Sequence, residues 1–220
     1  MLCGLIALAA IAAWAVARTN DRLGPRAAAD RPALALITSL PLIFGENLSL
    51  DNGGSPALTR LEQRYEVKPI GVADKASLKG QRLLLMAHAR AQPADVLVDL
   101  DQWVRNGGRL LLLADPKLDW PSERPLGDNL RPPPAFADTG LLTHWGLRLS
   151  GAGDEADASA GHLTSSSNSC IIVGGGLIAR CHIGRGWATI IADADFLNSA
   201  DSAADSLTLL IAELGKLESR

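Results

Sequence analysis

Four side chains able to do chemistry follow apolar runs in this chain: His88 after RLLLMA, Asp115 after RLLLLA, and Asp193 and Asp195 after Trp187–Ala192. Carboxylates delivered by separate strands could hold a divalent cation or poise a water, with His88 as base. An aspartate just after a strand more often accepts backbone N–H groups and caps the next turn. Capping is the expectation here, because no spacing forces the three acids together. A second set lies on loops. Ser39, Phe44, Glu46 and Asn47 follow the first apolar run, and Trp120 sits in a proline-rich stretch after Asp115. Exposed aromatic and polar groups on loops over one sheet edge suit a ligand or partner. The same aromatics could equally pin their loops to the domain.

The elements that must position these residues are legible. Ala33–Thr38, Arg82–Ala87 and Arg109–Ala114 are short continuous apolar runs, as in strands buried on both faces. Tyr65–Ile70 predicts another strand, and Ser55-Pro56 an N-cap with proline opening a helix. Pro93–Asn106 predicts an amphipathic helix on Val96, Leu97, Leu100, Trp103 and Val104, ended by Gly107-Gly108. The two strands flanking it should be parallel. Residues 115–138 read as a long surface loop and 150–169 as a flexible one. Between them, a short helix over Thr139–Gly146 leads into Leu147–Leu149, and His144 beside Trp145 reads as a packing position. Cys170–Val173, Leu177–Ile183 and Trp187–Ala192 are β-rich runs around glycine turns. A final helix from about Ser202 carries the stripe Leu207, Leu210, Ile211, Leu214 and Leu217, with Ser202 and Asp205 spaced as a capping box. The pattern predicts an α/β domain over residues 33–220 with a mostly parallel sheet.

Residues 1–17 contain no charged side chain and have the length of a short transmembrane helix. They read as a single-pass anchor. A cleaved secretory signal ending at Ala15-Val16-Ala17 is the competing reading, although it lacks a basic n-region. Residues 18–32 form a linker. Its arginines Arg18, Arg22, Arg26 and Arg31 favour a cytoplasmic domain by the positive-inside rule. The net charge of −3 gives no footprint for nucleic acid. Three cysteines make no disulfide framework. Cys170 and Cys181 read as buried apolar residues ahead of a disulfide or reactive thiols, and an extracytoplasmic setting would raise the weight of the disulfide. With His162 and His182 they lack the spacing of a zinc site, and Gly174–Gly176 reads as a turn and not as a phosphate cradle.

Four stretches, Leu36–Glu46 (LITSLPLIFGE), Gln92–Pro116, Thr143–Leu149 (THWGLRL) and Gly184–Ser199, resemble the extracytoplasmic domain of gliding-motility-auxiliary-like proteins of ABC-type transport systems, and a related bacterial domain of unknown function. The resemblance implies a flavodoxin-like or class I glutamine-amidotransferase-like three-layer fold behind a transmembrane helix. It also implies a periplasmic domain on the bacterial inner membrane, against the charge rule, with membrane-protein partner subunits and no established catalysis. Amidotransferase-like enzymes place a nucleophile where this chain reads Leu113-Ala114-Asp115-Pro116, without cysteine or serine. The expected function is therefore a non-catalytic, membrane-anchored ligand- or partner-binding domain with no cofactor, no metal ligand and no catalytic residue. The alternative is a metal-assisted hydrolase using Asp115, Asp193 and Asp195.

Overall fold

The computed structural model describes residues 23–44, 54–151, 161–198 and 203–220, without the side chains of 203–206. The apolar segment 1–17, Glu46, Asn47 and the Ser202/Asp205 capping box lie outside the described residues. Among the described residues, no helix is long and apolar enough to cross a membrane.

Nine strands are described: β1 (Ala33–Thr38), β2 (Glu66–Pro69), β3 (Leu83–Ala87), β4 (Arg109–Leu113), β5 (Leu147–Ser150), β6 (His162–Ser165), β7 (Cys170–Val173), β8 (Ile178–Ile183) and β9 (Gly186–Ile191). Helix α1 (Pro56–Glu62) joins β1 to β2, α2 (Ala94–Arg105) joins β3 to β4, α3 (Leu141–His144) precedes β5, and α4 (Ala203–Glu218) ends the chain. Seven strands form one sheet in the order β2-β1-β3-β4-β9-β8-β7, parallel from β2 to β9 and antiparallel through β8 and β7. The protein is thus α/β with a mostly parallel sheet.

The apolar runs make central strands because successive side chains point to opposite faces and both faces are covered. Leu84, Met86, Leu110 and Leu112 join a core under α2 with Val96, Leu100 and Val104. Leu83, Leu85, Leu111 and Leu113 join a second core under α1 and α4 with Leu58, Leu61, Leu210, Ile211 and Leu214. Local signals close the elements. The Ser55 hydroxyl accepts the Leu58 N–H at 3.1 Å ahead of Pro56. Gly107 ends α2 at a φ of 108°, a conformation that glycine adopts without a Cβ penalty.

Three expectations are corrected. Within the stretch read as flexible, His162–Ser165 is a strand, paired antiparallel with β5. Its side chains are too polar and the run too short to signal it alone. His144 does not pack: Trp145 is buried and donates from Nε1 to Asp101 at 2.7 Å, whereas His144 is exposed 3.7 Å from the same carboxylate. Cys170 and Cys181 are not free apolar residues but a disulfide. The Gly174–Gly176 turn sets Val173 opposite Ile178, and three residues further out on each strand the two cysteines face each other. Replacing both by serine should lower stability by about 2–3 kcal/mol, as expected for a short closed loop. Urea denaturation of wild type and variant, with and without reductant, measures this, and reduction should shift the wild type alone.

Candidate functional site

Ligands of open α/β sheets bind beyond the carboxyl ends of the strands, where the strand order reverses. Here the chain runs from β1 outward to β2, then returns across β1 to β3. The reversal lies between the ends of β1 and β3, at Thr38-Ser39 and His88-Arg90.

His88 is fully buried and holds a φ of 47°, uncommon for a residue with a side chain. Its N–H donates to the Leu113 carbonyl at 3.0 Å, and the Ser39 hydroxyl donates to its carbonyl. Nε2 lies 2.9 Å from the Pro133 carbonyl. A carbonyl can only accept, so Nε2 carries the proton, and Nδ1 is left as a buried acceptor without a partner. Burial pushes the imidazole pKa down, against the Pro133 hydrogen bond and the Asp115 charge. His88 is therefore a neutral strut under the proline-rich loop.

Asp115, Asp193 and Asp195 converge, each offering an oxygen within 4.8 Å of the others. They also cap. The buried Asp115 accepts the Lys117 N–H at 2.8 Å and the Ala194 N–H at 2.9 Å, one on each oxygen. Asp193 accepts the Asp195 N–H at 2.8 Å, and Asp195 accepts the Asp119 N–H at 2.8 Å. Together they staple the end of β4, the turn after β9 and the proline-rich loop. Burial raises the Asp193 carboxyl, with Asp115 adding to it. Asp195 is pushed up to about 6, by burial first and then by the neighbouring carboxylates, with the Asp119 N–H opposing.

Beside the staple, at the reversal, lies a cleft of about 260 Å³ lined by Ser39, Ile43, Phe44, Arg90, Asn129 and Leu130. The described part of the first loop, residues 39–44, and the proline-rich loop do meet over one sheet edge. Arg90 holds the roof, donating to the carbonyls of Asn129 at 2.7 Å and Arg131 at 2.5 Å. Phe44 and Leu130 are each 57% exposed at the mouth. Trp120 is elsewhere, packed on the core under α4, where it pins its loop. Of the sequence candidates, Ser39 and Phe44 line the cleft, and the aspartates and His88 form its supporting frame. Arg90, Asn129 and Leu130 were not singled out. The position of Arg90, two residues beyond His88, was the available signal.

No protein-family model matches this sequence, and no curated protein does. Among solved structures, the mmIFT52 N-terminal domain is similar at 12% identity with a TM-score of 0.57, over 86% of this chain and 98% of that one. The exo-β-1,4-mannosidase Op5Man5 from Opitutaceae bacterium strain TAV5 aligns at 16% identity and a TM-score of 0.43, over 86% of this chain and 36% of that one. A β-galactosidase from Bacillus circulans sp. alkalophilus aligns at 13% identity and 0.44, over 86% of this chain and 31% of that one. This chain thus spans about a third of the glycosidases' length. The likeness to the mmIFT52 domain shows a shared fold and no more.

Replacing Asp115 by alanine should cost about 3 kcal/mol, since two charge-assisted hydrogen bonds are lost and the Ala194 N–H stays buried. Asparagine should cost less, because one oxygen still accepts, and urea denaturation ranks the two. For Asp195 the native carboxyl keeps its proton to a higher pH than the unfolded one. Its contribution to stability therefore falls as pH rises from its ordinary 3.8 to about 6. Asp195→Asn should flatten the decline of the urea midpoint across that window.

Proposed function

We propose that this chain is a non-catalytic, membrane-anchored domain of amidotransferase-like, three-layer fold that binds a ligand or partner at the β1/β3 cleft. It serves as an accessory of an ABC-type transport system or similar membrane assembly of a bacterial inner membrane. The observation that carries this reading is the cleft itself, open at the sheet's reversal point with Phe44 and Leu130 exposed at its mouth. Supporting it, the residue at the end of β4 is Asp115, whose two oxygens are both taken by backbone N–H groups. No nucleophile stands there. The Cys170–Cys181 disulfide supports a periplasmic domain, because such bonds persist in oxidising compartments.

The approach of three carboxylates to within 4.8 Å favours one second reading, a metal-assisted hydrolase. The four N–H groups already held by those carboxylates argue for a staple instead.

The test is purification of the full chain from its native membrane with any bound subunits, in wild type and a Phe44→Ala, Leu130→Ala double variant. The variant should lose the co-purifying subunits with its unfolding midpoint unchanged, since both residues are exposed. Undiminished recovery of the same subunits overturns the cleft as the docking site. A rise in the midpoint on adding Mn²⁺ or Ca²⁺, abolished by Asp193→Asn, would favour the hydrolase.

A further inference from the structure

On the opposite flank from the cleft's loops, the linker, the end of α1 and the last turns of α4 enclose a groove of about 540 Å³. It is lined by Leu23, Arg26, Arg64, Ala212, Gly215 and Lys216. Arg64 is only 2% exposed. Its partners are neutral oxygens, the Gly24 carbonyl and the Tyr65 hydroxyl, and among the described residues it forms no ion pair. Among the described residues its Nε has no acceptor, and neither does Nη1 of Arg26. The carboxylates nearby already have partners, and one of them, Glu218, itself lines the groove. Glu218 takes the other end of Arg26 at 3.0 Å and the Tyr65 hydroxyl at 3.4 Å. Glu213, beneath Lys216, is shared between that lysine at 2.7 Å and Arg180 at 2.6 Å. A buried guanidinium without an ion-pair partner is costly, and the chain leaves one facing a groove whose other walls set apolar Leu23, Ala212 and Gly215 beside Lys216, Ser219 and the Arg26-paired Glu218.

We propose that this groove binds the phosphodiester headgroup of an anionic phospholipid, with Arg64 and Arg26 as its donors and Lys216 at its rim. Guanidinium groups match phosphate oxygens in fork geometry. The apolar walls, Leu23, Ala212 and Gly215, suit the glyceride part of the molecule. The choice of a lipid over a free phosphate rests on the membrane-anchored reading. Leu23 lies six residues beyond Ala17, so the groove is within about 20 Å of the end of the charge-free segment.

Gly215 supplies the decisive variant. A Cβ there meets nothing within 4 Å, and its backbone is not in the left-handed region. Gly215→Leu therefore fills the groove without backbone strain. The full chain is reconstituted in nanodiscs of phosphatidylcholine with and without phosphatidylglycerol, and the unfolding midpoint of the domain is read. Phosphatidylglycerol should raise the midpoint, inorganic phosphate should not, and both Gly215→Leu and Arg64→Gln should abolish the difference. In titrations each variant should bind phosphatidylglycerol roughly tenfold more weakly, or worse. If Arg64→Gln fails to fold, Gly215→Leu decides alone. Equal midpoints in the two lipids, or a difference retained in Gly215→Leu, overturn the proposal. A midpoint reproduced by inorganic phosphate overturns the lipid as occupant. Co-elution with the disc reports the anchor separately. A chain that does not co-elute is tested in solution with dihexanoyl-phosphatidylglycerol against dihexanoyl-phosphatidylcholine, under the same criteria.

Discussion

Where parallel strands end together, their last backbone groups lose ladder partners, and buried N–H groups must find acceptors nearby. In this protein Asp115 meets that demand at the centre of the sheet. One oxygen takes the N–H of Lys117 and the other that of Ala194, while its own carbonyl accepts from Phe136 at 2.6 Å. Two segments distant in sequence, at Phe136 and Ala194, thus converge on one residue and on the turn that follows it. The long proline-rich excursion, which has no regular secondary structure, is held at both its beginning and its end. His88 props the same excursion through Pro133, and Arg90 through Asn129 and Arg131. These contacts tie the roof of the cleft to the sheet.

The chemistry available at the sheet edge follows from that structural duty. A carboxylate that accepts one backbone N–H on each oxygen is oriented by them, and orientation serves the loop before any solute. The raised carboxyls of Asp193 and Asp195 reflect burial first and then the crowding of like charges. Crowded acids also arise where several turns are capped side by side, so perturbed ionisation here does not by itself mark catalysis.

Strands, helix stripes and caps were legible because each is decided by neighbours a few residues apart. LLLLA, short and bounded by glycines upstream, reads as a doubly covered strand, and Ser55-Pro56 announces its helix by local hydrogen bonding. The strand ends were legible for the same reason, so Asp115, Asp193 and Asp195 could be named before their convergence was known. What stayed hidden depends on distant partners. Strand β6 exists because β5 lies beside it. The cysteine pair depends on the register that a glycine turn imposes on two strands. Arg90 gains its role only when residues about forty positions later fold back over it. The buried Glu213 sits within the apolar stripe of α4, and nothing local shows that Arg180 and Lys216 will reach it.

The covalent link between β7 and β8 bears on more than the hairpin that contains it. Strand β7 is the last of the seven-stranded sheet, and Ile171 on it is 68% exposed. An outermost strand of four apolar residues is a template on which another chain can add a strand. Slippage by one residue would also turn its inward side chains outward. With Cys170 tied to its cross-strand neighbour, β7 can neither peel away nor shift register. The bond therefore fixes which side chains of the outermost strand face the core, and reducing it would free that strand to shift.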